Sequence, residues 1–153
     1  MRFIIVDDAD EPLHKLWRML EEAGHTVVGV ARNGVEAILK YRELQPDVLV
    51  MDVIMPRMNG MEALRAIRAE FPEARVILTC ALNSCDTVLE AEENGAAFCL
   101  FKPFSLECVT NAIAQLDPTG KDKAPKEGEA KPAAAKRGNS GPATTLGTLG
   151  GRV

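Results

Sequence analysis

Five polar or charged residues share one position: each closes a short apolar run. Asp7 and Asp8 follow Phe3 to Val6 (FIIV), Asp52 follows Val48 to Met51 (VLVM), Thr79 ends Val76 to Thr79 (VILT), and Lys102 follows Phe98 to Phe101 (FCLF) and precedes Pro103. A single Asp in such a place is ordinarily a helix N-cap. Three that converge are another matter, because like charges at close range raise one another's pKa unless something positive intervenes. A hard divalent cation is the natural partner. With carboxylate, carbonyl and water oxygens as donors, and no His or Cys set at zinc-ligand spacing, that cation is expected to be Mg²⁺. A carboxylate, a metal, an ammonium and a hydroxyl are the groups that phosphoryl transfer to an aspartate needs. In that chemistry Asp52 is the expected nucleophile, Lys102 neutralises the transferring group, and Thr79 donates a hydrogen bond to it. The loop MPRMNG after Asp52 holds a Pro and a Gly and can bring backbone amides close to a bound phosphoryl group.

These residues can meet only if the runs between them align. Continuous apolar runs suit strands buried on both faces, and Val27 to Val30 (VVGV) supplies a fifth. Helical patterns lie between. Leu13, Leu16, Trp17 and Leu20 recur at spacings of three and four after Pro12, with Gly24 as a stop. Asn33 caps a second helix with Ala37, Ile38, Tyr41 and Leu44 on one face. A third is expected from about Asn59 to Glu70, a fourth from Ser84 to Asn94 before Gly95, and a fifth from Ser105 to Leu116. Five strand–helix units in a row predict right-handed crossovers and an α/β doubly wound parallel sheet covered on both faces. In such sheets the functional crevice lies beyond the carboxyl ends of the strands, where all five polar residues fall.

Composition sets the outer limits. At 153 residues, with 46% hydrophobic and 26% charged, one folded unit with a real core is expected, and wholesale disorder is excluded. Charge divides the chain unevenly: residues 1–117 hold 11 Lys/Arg and 19 Asp/Glu, net −8, and residues 118–153 hold 7 and 3, net +4. An acidic body argues against nucleic-acid binding by charge. From about Asp117 large apolar residues nearly vanish, so residues 118–153 read as a flexible basic tail, a linker or tether without base-stacking aromatics. Cys80, Cys85, Cys99 and Cys108 form no CxxC pair, so reduced thiols are the default. The start lacks a signal peptide's length and no apolar run approaches about eighteen residues. A soluble, cytoplasmic protein with no membrane insertion is the expectation.

The segments FIIVDDADEP, VLVMDVIMPRMNGMEALRAIR, VILTCA and FCLFKPF together resemble the receiver domain of two-component response regulators, across nearly all of residues 1–117. The resemblance implies a five-stranded flavodoxin-like sheet of order 2-1-3-4-5. It implies that Asp52 accepts a phosphoryl group from a sensor histidine kinase or histidine phosphotransfer protein. Mg²⁺ would be held by Asp8 directly, by Asp7 directly or through water, by Asp52, and by the backbone carbonyl of Ile54. Thr79 and Lys102 would contact the phosphoryl group and pass its presence to the face made by the fourth helix, fifth strand and fifth helix, where a downstream protein binds. Such a domain modifies only itself and is no enzyme toward other substrates. With no room for a DNA-binding domain in the tail, a stand-alone regulator acting through protein binding is expected, with chemotaxis as one candidate output.

Departures from the family pattern bear on mechanism. Cys99 stands where the family usually has Tyr or Phe, three residues before the lysine, and Cys80 stands where a small residue such as Ala is common. Ile54 and Ala81, two positions after Asp52 and Thr79, offer no polar group to orient an attacking water. Two alternatives remain open on sequence grounds. One is a receiver-shaped scaffold that takes no phosphate; the other is a phosphoaspartate-forming phosphatase, which would want an Asp where Ile54 stands.

Overall fold

The computed structural model describes residues 1–81 and 85–116, and for Cys85 the backbone alone. The expected start of the fourth helix at Ser84 and the tail reading of residues 118–153 lie outside the described residues. Strands and helices alternate: β1 (Arg2–Val6), α1 (Asp10–Glu22), β2 (Thr26–Ala31), α2 (Gly34–Leu44), β3 (Val48–Asp52), α3 (Gly60–Glu70), β4 (Val76–Ala81), α4 (Cys85–Glu93), β5 (Phe98–Lys102) and α5 (Leu106–Leu116). The strands pair in parallel in the order β2-β1-β3-β4-β5. This is the predicted flavodoxin-like topology, with the strand order reversing between β1 and β3.

The strict alternation of strand side chains divides the core into two layers. Ile4, Val6, Leu49, Met51, Val76, Leu78 and Cys99 face α2, α3 and α4, where they meet Tyr41, Leu64, Ile67 and Val88. Phe3, Ile5, Val48, Val50, Ile77, Phe98 and Leu100 face α1 and α5, against Leu13, Leu16, Leu20, Val109 and Ile113. Trp17, expected on the buried face of α1, is only half-buried and packs at the margin of the second layer.

Helix ends follow local chemistry. Asn33 Oδ1 accepts from the Glu36 N–H at 3.0 Å, and Asn59 forms a reciprocal capping box with Glu62 at the start of α3. Gly24 and Gly95 stop α1 and α4 with φ of 89° and 91°, a region that favours glycine. α1 starts at Asp10, two residues before Pro12, and its N-cap Ala9 has no side-chain cap. The Ala9 N–H instead donates to Asp7 Oδ1 at 3.0 Å, which ties the helix start to the first strand's terminal carboxylate.

Candidate functional site

The same alternation that builds the core aims the polar residues. Counting by twos, Asp7 continues the row of Phe3 and Ile5, Asp52 that of Val48 and Val50, Thr79 that of Ile77, and Lys102 that of Phe98 and Leu100. All four therefore belong to the α1/α5 face at the carboxyl edge of the sheet. Register completes the alignment: Asp52 lies opposite Thr79 across β3 and β4, and Lys102 opposite Ala81 across β4 and β5.

Lys102 Nζ lies 3.2 Å from Asp7 Oδ2 and 3.4 Å from Asp52 Oδ2, spanning the two strands on either side of the reversal. Asp7, Asp52 and Thr79 are buried, at 7%, 8% and 3% exposure, and Asp8 is open to solvent. Carboxylate oxygens of Asp7, Asp8 and Asp52 come within 4.8 Å of one another. Ile54 is on the loop into α3, its side chain 76% exposed. The residues singled out in the sequence thus gather at one crevice.

Charge in the crevice is not balanced. Burial, with the charge of Asp7 adding to it, pushes the Asp52 carboxyl above its ordinary pKa although Lys102 pulls it down. Burial also works against the Lys102 ammonium, but the combined charges and hydrogen bonds of Asp52 and Asp7 outweigh it and leave its pKa above the usual lysine value. One cation among three carboxylates leaves net negative charge, and the only donors the three offer are oxygens. That donor set fits a hard divalent cation such as Mg²⁺.

Two features beyond the acidic residues hold Asp52 in place. The Val53 N–H donates to the Thr79 carbonyl at 3.0 Å and the Gly60 N–H to the Val53 carbonyl at 2.8 Å, so the turn after β3 folds back on itself. A Cβ at Gly60 would overlap the backbone oxygen of Asp52. Gly60→Ala is therefore expected to cost about 2–3 kcal/mol of stability through overpacking, read as a lower denaturant midpoint. In the sequence Gly60 was legible as part of a Pro- and Gly-containing loop leading into a helix near Asn59, but not as a close approach to the Asp52 carbonyl.

Residues 3–114 match the family model described as "Response regulator receiver domain". The chain belongs to the response regulator receiver family. The chemotaxis protein CheY of Thermotoga maritima is 40% identical to this receiver over 112 residues, covering 73% of this chain and 93% of that protein. Protein CcdB of Bacillus subtilis is 38% identical over 115 residues, covering 75% and 96%. Among solved structures, the CheX–CheY–BeF3–Mg²⁺ complex from Borrelia burgdorferi aligns with a TM-score of 0.73 at 27% identity, covering 76% of this chain and 88% of that one. Vibrio cholerae CheY4 aligns with a TM-score of 0.70 at 27% identity, covering 76% and 98%.

The cysteine departures of this receiver are internal. Cys99 is fully buried, and burial pushes its thiol up to about 12. Cys80 is buried beside the site, its thiol raised by burial and by the charge of Asp52. Neither is a thiolate at neutral pH, which argues against redox gating of the crevice by these thiols. Among the described residues no helix is long and apolar enough to cross a membrane.

Proposed function

We propose that this receiver is a phospho-switch: Asp52 takes a phosphoryl group from a phosphohistidine on a sensor histidine kinase or histidine phosphotransfer protein, and the modified form binds a downstream protein differently. The observation that carries this reading is the placement of Lys102 within 3.4 Å of both Asp7 and Asp52, in a crevice whose three carboxylates sit within 4.8 Å of one another.

In the transfer, an Asp52 carboxylate oxygen forms a bond to phosphorus as the donor's imidazole N–P bond breaks. The imidazole leaves with the electron pair and takes up a proton. Lys102 lies where its ammonium can offset the charge of the incoming group, and Thr79, opposite Asp52, can donate its hydroxyl hydrogen to a phosphoryl oxygen. Asp7, Asp8, Asp52 and the Ile54 carbonyl would hold Mg²⁺, which supplies positive charge against the phosphoryl oxygens. The domain catalyses only its own modification and hydrolysis, and its output is binding, with the α4–β5–α5 face as the downstream surface and chemotaxis as the favoured context.

Water attack on the phosphoaspartate lacks a polar guide. Ile54 is apolar and 76% exposed, and Ala81 is small and exposed. The expected outcome is a slowly decaying phosphorylated form, with Ile54→Asn combined with Ala81→Gln speeding decay by about an order of magnitude through orientation of the water. An unchanged decay rate in the double variant, followed by loss of the phosphorylated mass, would count against this account.

The overall reading is tested by intact mass after exposure to a small acyl or amido phosphate donor, with and without Mg²⁺. A Mg²⁺-dependent gain of one phosphoryl group supports it. No gain in a folded, Mg²⁺-binding protein favours the phosphate-independent scaffold.

A further inference from the structure

Lys102 reaches the carboxylates through a stem that the chain has to hold. A lysine ammonium sits on a flexible four-carbon stem, yet Lys102 Nζ stands between Asp7 and Asp52 at 3.2 and 3.4 Å while its side chain is 33% exposed. The two ion pairs place the charge but leave the stem free to turn. Past the strand, Pro103 and Ser105 are exposed and Phe104 is half-buried, packed against the core layer that faces α1 and α5. An aromatic side chain two residues after the lysine thus turns inward from an otherwise open loop.

Two adjoining hollows give that side chain a role. The outer one, about 200 Å³, lies between α1 and the β5–α5 loop and has Glu11 and Lys15 on its helix side. The inner one, about 20 Å³, is lined by Asp7 and Thr79 of the crevice and has room for about one water molecule. Pro12, Leu16, Lys102 and Phe104 line both. The partition is therefore the lysine stem itself among three apolar side chains, the arrangement in which a long charged residue buries its methylenes and keeps its charge in polar surroundings. Pro12 and Leu16 belong to α1, and Phe104 supplies the opposite wall from the loop. Carboxylates compete for the ammonium on the two sides of this partition, with Asp7 and Asp52 in the crevice and Glu11 on the outer hollow. Without the Phe104 ring the hollows merge, and the stem is free to swing out toward water and Glu11.

We propose that Phe104 is a positioning residue for phosphoryl transfer: with Pro12 and Leu16 it holds the Lys102 stem so that the ammonium stays between Asp7 and Asp52 instead of turning across the outer hollow to Glu11. The catalytic consequence rests on the phospho-switch reading above, whereas the hold on Lys102 is a property of the unmodified chain. That hold matters because a group misplaced by about 1 Å can slow a reaction by about 10²-fold.

The first measurement needs no phosphodonor. Reductive methylation of the full chain with formaldehyde and cyanoborohydride in EDTA, followed by peptide mass, reports how freely each lysine amine is reached. Lys102 is expected to react several-fold faster in Phe104→Ala than in the native chain, and to an intermediate extent in Phe104→Leu. Lys15, already exposed on the outer hollow, should keep its rate. With Mg²⁺ and a small acyl or amido phosphate donor, modification of Asp52 should slow by about tenfold in Phe104→Ala, and adding Glu11→Gln should restore part of the loss. If thermal melts show that Phe104→Ala does not fold, Phe104→Leu with and without Glu11→Gln decides. Native-like labelling of Lys102 in the folded variants, a rise shared equally by Lys15, or a slowed transfer that Glu11→Gln leaves untouched would each overturn the proposal. A native chain that no donor modifies would overturn the phospho-switch reading instead, while the labelling still decides whether Phe104 holds Lys102.

Discussion

Asp52→Asn is expected to abolish the phosphoryl gain entirely while raising the thermal midpoint of the unmodified protein by a few degrees. Loss of modification follows from removing the nucleophile. The gain in stability follows from the state of the crevice. Burial, then the charge of Asp7, holds the Asp52 carboxyl above its ordinary pKa in spite of Lys102. A folded-state pKa raised above the unfolded value means that the folded protein holds the proton more tightly. The penalty for the charged form is thus absent at low pH, grows as pH rises past the unfolded carboxylate value, and is complete above the folded one. At neutral pH an amide of the same shape escapes it and leaves Lys102 paired with Asp7 at 3.2 Å. Thermal melts of the two proteins at neutral pH and near pH 3 check the sign: the advantage of Asp52→Asn should shrink at the lower pH. Added Mg²⁺ should reverse the order, since a ligand that binds the folded state stabilises it and the variant has lost one of its carboxylates. An Asp52→Asn protein that is less stable than the native one without Mg²⁺ would mean that the Lys102 pair, rather than burial and repulsion, dominates the site.

The crevice was legible in the sequence because strand periodicity is short. Once five apolar runs were read as strands buried on both faces, Asp7, Asp52, Thr79 and Lys102 had to fall at the same edge, and their parity within each strand put them on the same side. The cap at Asn33, the start of the third helix near Asn59 and the stops at Gly24 and Gly95 were legible for the same local reason. Long-range packing was not. Gly60 reads as a turn residue, and only the folded chain brings it against the Asp52 carbonyl. Trp17 has the spacing of a core residue, yet α1 turns it to the margin of the layer, because spacing gives a face but not the depth of its edge. Ala9 is no capping residue by type, and the helix after it starts without a side-chain cap, its entry fixed instead by the Ala9 N–H donating to the Asp7 carboxylate two residues back. The balance of charge was also hidden: three Asp and one Lys can be counted in the sequence, but that Lys102 bridges two of the three depends on β5 standing beside β4.

Lys102→Met is expected to slow phosphorylation of Asp52 by about 10²–10³-fold, the usual cost of removing one preorganised charge-stabilising donor, and to lower stability as well. The two effects share a cause. Lys102 is the cation within hydrogen-bonding distance of the Asp7 and Asp52 carboxylates, at 3.2 and 3.4 Å, and without it their repulsion is relieved only by protonation or by a bound cation. The loss should fall short of that for a fully buried pair, because the Lys102 side chain is one-third exposed at 33% and solvent screens it. Mg²⁺ should therefore recover stability in Lys102→Met more fully than it recovers rate, since a metal can neutralise the resting carboxylates without replacing the ammonium on the phosphoryl group. Lys102→Arg separates charge from shape. It keeps the positive charge and so most of the stability, but a planar guanidinium cannot place a single compact charge at the same point between two carboxylates and an incoming phosphoryl oxygen. Rate should stay low while the melt returns toward the native value. Equal recovery of both in Lys102→Arg would show that charge alone, without position, is what the site requires of residue 102.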